Sequence, residues 1–116
     1  MDVSPEQIAK SRRTIRAAAV FAENSEAIVA HVGQLPDDHL VVAVVTEEYL
    51  FDGVHHVSRH ELVERVPALE GPAGWAMVFS AGTDHEHVAV RTAEMISLAE
   101  KRIEMISRIA ARRPAG

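Results

Sequence analysis

Two segments of this chain, one toward each end, repeat small or apolar residues at alternating steps of three and four. In the first they are Ile8, Ser11, Ile15, Ala18, Ala22, Ser25, Val29 and Val32; in the second, Ala89, Thr92, Ile96, Ala99, Ile103, Ile106 and Ala110. A period near 3.5 gathers such residues into a seam along one side of a helix, the spacing at which two helices pack along their length. Each segment spans roughly 28 residues, about 42 Å as a helix. Surfaces of that length must meet another helix, which limits the chain to folds in which its two ends pair with each other or with another copy.

The ends of the two segments carry helix signals. Ser4 with Gln7 forms a capping box, and Pro5 suits the first helical position. Gly33 is placed to take the left-handed conformation that closes a helix, and Pro36 forbids continuation. A single helix over residues 4–33 is therefore expected, weakest at Asn24 and Ser25. Thr83 with Glu86 forms a capping box that opens a last helix over residues 83–113. Beside its seam lie Val88, Met95 and Ile109 on one flank, with Leu98 and Met105 on the other side. So wide an apolar face usually packs against two things at once.

Residues 39–82 read as a small sheet with a short helix. The run 40–45 is β-branched and continuously apolar, as a strand buried on both faces is, and 75–79 is a second strand. Asp52–Gly53 reads as a hairpin turn joining 48–51 to 54–57; the alternative is a helical turn over 46–51 inside a parallel crossover. Ser58 with Glu61 opens a short helix that turns Leu62, Val63 and Val66 inward and has Pro67 near its end. The expected fold is α+β, a single domain over 1–116 in which two long terminal helices pack on a two- or three-stranded central sheet.

The absence of cysteine removes disulfides and thiolate metal ligands and fits a reducing compartment. The first residues, with Asp2 and Glu6, do not resemble a signal peptide, and no apolar run is long enough to span a bilayer. A cytoplasmic protein without membrane insertion is the expectation. Its net charge of −5 is uneven. Residues 1–33 carry four basic and four acidic side chains, 34–83 two and eight, and 84–116 six and five. If the long helices run antiparallel, Lys10, Arg12, Arg13 and Arg16 meet Lys101, Arg102, Arg108, Arg112 and Arg113 at one end, suited to an acidic partner. No aromatic residue lies among them for base stacking, so nucleic acid is not the expected partner.

Catalytic signatures are sparse. Seven histidines cluster around 55–60 and 84–87. His60 and Glu64 stand four apart as on one helical face, and His56 is near them, so these three are the acid–base candidates. His85 and His87 are the metal-ligand candidates, although on a first helical turn they point apart and no zinc-binding spacing is present, so no metal is expected. Ser80 lacks the glycine of a nucleophile elbow, and the glycines match no phosphate-binding loop. Tyr49, Trp75 and Phe79 are the candidate walls of a ligand pocket, with no cofactor indicated.

Two functions of different class follow. The first is a non-enzymatic interaction protein that forms a homo-oligomer through its long helices, with Ile15, Ile96, Ala99, Ile103 and Ile106 at the interface. The alternative is a small oligomeric enzyme or ligand-binding protein with a pocket near the sheet, served by His56 or His60. The first requires an apolar helix face left open in the single chain; the second requires a concave site with convergent polar groups.

Overall fold

A computed structural model describes residues 5–112. The order of elements is α1 (Pro5–Glu23), α2 (Ser25–Val32), β1 (His39–Val45), β2 (Phe51–Ser58), a 3-10 turn (Arg59–Glu61), α3 (Leu62–Glu70), β3 (Trp75–Phe79) and α4 (His85–Arg112). The architecture is the α+β class expected: helices packed on a small antiparallel sheet of order β2-β1-β3. The cap proposed at Ser4 and the last basic residue, Arg113, lie outside the described residues.

The first long helix is two helices, not one. The Asn24 side chain and its backbone N–H both donate to the Val20 carbonyl, at 2.8 and 3.2 Å, closing α1. The Asn24 carbonyl then accepts from Ile28 N and starts α2. A short amide side chain that competes for helix carbonyls interrupts a helix that apolar spacing alone would carry through. Gly33 is also not left-handed; its φ of −66° continues the helix, whose end tightens through Gln34 N–H to His31 O and Leu35 N–H to Val32 O.

β1 is the central strand, and residues 40–45 are all buried, as the apolar run implied. Val41, Ala43 and Val45 face α1, α2 and α4 together with Met77, Phe79, Phe21, Ile28 and Val88. Val42, Val44 and Val57 face α3, which covers them with Leu62, Val66 and Leu69. Val63 turns outward and is 85% exposed, so the inward trio of the short helix ends with Leu69 instead.

Neither expectation for residues 46–57 holds. β1 itself forms the hairpin with β2, and the turn is 46–50. The Thr46 hydroxyl accepts from the N–H groups of Glu48 and Leu50, the Tyr49 N–H reaches Thr46 O at 2.9 Å, and Tyr49 sits at φ 63°. Asp52 and Gly53 lie within β2. Val44 pairs with Gly53 and Val45 with Phe51, so Asp52 is the extra residue of a bulge and Gly53 takes φ 112°. Gly after a polar residue marks a bulge as readily as a turn.

The last helix starts one residue later than the capping box implied. Asp84 is its cap, accepting the His87 N–H at 2.9 Å, while the Thr83 hydroxyl donates back to Ser80 O.

Candidate functional site

Helices α1 and α4 pack antiparallel. At one end the hydroxyl of Ser25, the first residue of α2 just beyond α1, and His85 Nδ1 are 3.0 Å apart; at the other, Gln7 and Lys10 share a groove with Met105 and Ile106. Between these ends Phe21 and Val88 are buried in the core beneath the sheet, and the other buried residues are small: Ser11, Ala17 and Ala18 on α1, Thr92 and Ala99 on α4. Small side chains let the helices approach closely, and the Thr92 hydroxyl is satisfied by the carbonyls of Val88 and Ala89, each at 3.0 Å. The residues expected at an oligomer interface lie along this seam. Ala99 is buried inside the single chain, and Ile15, Ile96, Ile103 and Ile106 are half-buried. The first partner of the repeat is therefore the chain's own other helix.

The helices outrun the sheet. With 28 residues, α4 is about 42 Å long, whereas strands of five to eight residues reach about 17–27 Å. The molecule measures 60 × 28 × 23 Å, and its radius of gyration is 16.5 Å. A compact chain of this length has about 13 Å. Among the described residues, none of α1 before Ser11 and none of α4 after Ala99 is buried. The outer halves thus form a two-helix arm without a third layer.

One side of this arm is a largely apolar groove of about 530 Å³, walled by Met95, Leu98, Ala99, Arg102, Met105 and Ile106 of α4 and by Gln7, Lys10, Ser11 and Thr14 of α1. Leu98 and Met105 are each 59% exposed and Ile109 is 44% exposed. Sequence spacing set Met95 apart from Leu98 and Met105; the fold joins them on one surface. Met95, Leu98, Arg102, Met105 and Ile109 are a second run of three-and-four steps on α4, concealed by the arginine at its centre. At its inner end the same side of α4 meets the sheet: the Arg91 guanidinium donates to Val78 O and lies 4.5 Å above the Phe79 ring. Burial there pulls the Arg91 pKa below its usual value. The groove is therefore the sheet-packing face of the helix pair continued past the sheet.

At the inner end of the groove, Thr14 bonds to the near end of the sheet. Tyr49 and Trp75 stack with centroids 5.7 Å apart and planes at 21°. Trp75 Nε1–H donates to Thr14 Oγ1 at 3.3 Å, and the Arg16 guanidinium lies 3.9 Å above the Tyr49 ring. Two of the three candidate pocket aromatics thus come together, but they cover each other and lock α1 to the sheet. Phe79 is apart from them at the far end of β3, 1% exposed in the core. The acidic side chains Glu47, Asp52 and Glu70 border one depression at this same end of the sheet, and Glu48 lies in the adjoining turn.

The histidines divide. His56 Nε2 is 3.1 Å from Nδ1 of His31, a partner on α2 that sequence reading did not single out because the two are 25 positions apart. His60 and Glu64 are exposed, and no contact joins them, since His60 belongs to the 3-10 turn and Glu64 to α3. His85 reaches Ser25, whereas His87 Nδ1 lies 2.7 Å from Asp84 Oδ1. The Asp84 carboxyl is held below the ordinary aspartate range, chiefly by the His87 N–H. Among the described residues no three of His, Asp and Glu converge as a metal would need. No described helix is long and apolar enough to cross a membrane.

Comparison with protein-family models, with curated proteins and with solved structures finds no match in any of the three.

Proposed function

We propose that this chain is a non-enzymatic interaction protein that pairs with a second copy through the groove side of its α1–α4 arm. The observation that carries the reading is continuity: a helix face that packs on the sheet at its inner half continues outward through Met95, Leu98, Met105 and Ile109, interrupted by Arg102, and none of the described residues covers it. Contiguous exposed apolar surface of this kind marks an interaction site. The interface it supports differs from the one the repeat suggested. Leu98, Met105 and Ile109 provide the open surface, with Ile106 beneath them, while Ala99 stays inside the chain. The ligand-pocket alternative has less support, because Tyr49 and Trp75 stack on each other and His56 is engaged by His31.

The test is mass in solution. Sedimentation of the unaltered chain at about 50 µM, a concentration that populates any dimer of micromolar affinity, gives a dimer. Leu98→Asp combined with Met105→Asp gives a folded monomer, because both positions are exposed in the single chain and cost little there, whereas at an interface they bury charge. An unaltered chain that remains monomeric at that concentration sinks the proposal.

A further inference from the structure

We infer that the two arms meet antiparallel about a two-fold axis, so that the basic outer end of each arm rests against the acidic sheet end of the other copy. This rests on the self-association proposed above and adds orientation and salt dependence to it. It is carried by a separate observation, the distribution of charge.

The arm, residues 5–16 and 95–112, carries eight basic and three acidic side chains; residues 17–94 carry three and thirteen. Opposite charge is thus sorted along a molecule 60 Å long. The acidic part presents Glu47, Glu48, Asp52 and Glu70 at the sheet end from which the arm emerges. Glu47, Glu48 and Asp52 are exposed, Asp52 because it is the extra residue of the bulge. Of the basic residues on the outer part of α4, Arg108 pairs with Glu104 one turn away, while Lys101 and Arg112 border the same exposed surface.

Three arrangements could cover the groove. Both two-fold arrangements bring Lys10 and Arg102 of the two arms near each other, but parallel arms would also set the basic tips, with Arg108 and Arg112, side by side, and like charges there oppose association. A head-to-tail arrangement would match opposite charges but leave one groove open at each end and grow into filaments. Antiparallel two-fold pairing covers both grooves, closes at two copies, and sets basic ends against acidic ends twice. Lys10 and Arg102, in the middle of the groove, have stems long enough to cover apolar surface while their charges reach the rim.

The chain has no cysteine, so single cysteines report geometry directly. Arg102→Cys, near the middle of the exposed stripe, is expected to give a disulfide-linked dimer on mild oxidation, and Ile109→Cys, near the tip, is not. Arg108→Glu with Arg112→Glu should raise the dissociation constant about tenfold, equivalent to about 1.4 kcal/mol. Glu47→Arg with Glu48→Arg in the same chain should recover most of that loss. Dimerisation should also weaken as ionic strength rises beyond about 0.15 M, where screening acts over about 8 Å. Cross-linking at both positions would establish parallel arms, and cross-linking at neither with growing mass would establish head-to-tail chains; either overturns the orientation. A dimer that is lost on Leu98→Asp with Met105→Asp, yet ignores salt and the charge reversals, overturns it too and leaves self-association standing. A chain that is monomeric throughout overturns both.

Discussion

The inner and outer halves of the α1–α4 pair obey the same sequence rule and meet different fates. In the inner half, Ala18 and Thr92 of the repeat are buried, and Ala17, Phe21 and Val88 beside it are fully buried because the sheet supplies a third layer, while Ala22 and Ala89 of the repeat face solvent. In the outer half the seam residues Ile103 and Ile106 are only half-buried, and Leu98, Met105 and Ile109 face solvent. A three-and-four repeat specifies that two helices touch. It does not specify how many further surfaces the wider apolar face will find. The difference locates the unfinished part of this molecule in the arm.

Truncations in the two halves test the contrast most strongly. Phe21→Ala should cost about 3–5 kcal/mol in urea denaturation, because it empties a fully enclosed site. Ile106→Ala should cost well under half of that in dilute protein, since its side chain already meets water. If association covers the arm, the gap narrows as protein concentration rises. Equal costs in a dilute monomer would remove the distinction between the halves.

A backbone clash confined to the sheet end sharpens the comparison. A Cβ at Gly74 would stand 2.5 Å from Glu70 O and 2.9 Å from Val45 O. Gly74→Ala should therefore destabilise by about 1–3 kcal/mol, as overpacking does. Because Gly74 borders the acidic depression and not the groove of the arm, any effect on association should be confined to its salt-dependent part, measured below the melting temperature.

At the junction of the two regions, Tyr49 balances stacking against backbone strain. Tyr49→Ala loses the contacts with Trp75 and Arg16 and keeps the unfavourable φ of 63°, for a cost of about 1 kcal/mol. Tyr49→Gly should be the more stable of the two variants in thermal melting, since only glycine adopts that φ freely.

The smallest effect concerns the start of α4, at the far end from the arm. The Asp84 carboxyl is held below the ordinary aspartate range by the His87 N–H, so its contribution is present above the unfolded value and is lost as pH falls through the lowered one. Asp84→Asn should reduce the melting temperature slightly at neutral pH, and the difference from the unaltered chain should vanish under strong acid. A difference that persists or grows there would assign the effect to something other than the carboxylate.

Much of the fold was legible because it depends on local pattern. The apolar run 40–45 identified the central strand, 75–79 a second strand, and the two repeats the helices that pair. Of the candidate site, only the basic end was legible, because charge along a helix needs no knowledge of what covers it. His56 and His60 were legible as residue types but not as partners: one is engaged by His31 from another element, and the other is solvated on a turn.

By itself the sequence determined that two long helices would flank a small sheet, since period and β-branching act within a few residues of chain. Two more features rest on local side-chain hydrogen bonds that apolar period does not register: the Asn24 amide takes the Val20 carbonyl four residues back and splits the first helix, and the Thr46 hydroxyl turns the chain early, so that Asp52 and Gly53 fall in a bulge. Tertiary structure alone decided which side of α4 stayed open, because the sheet ends where Trp75 and Tyr49 meet α1 and the helices continue beyond it. Burial depends on where neighbouring elements stop, and no local pattern in a helix encodes the length of the sheet beside it.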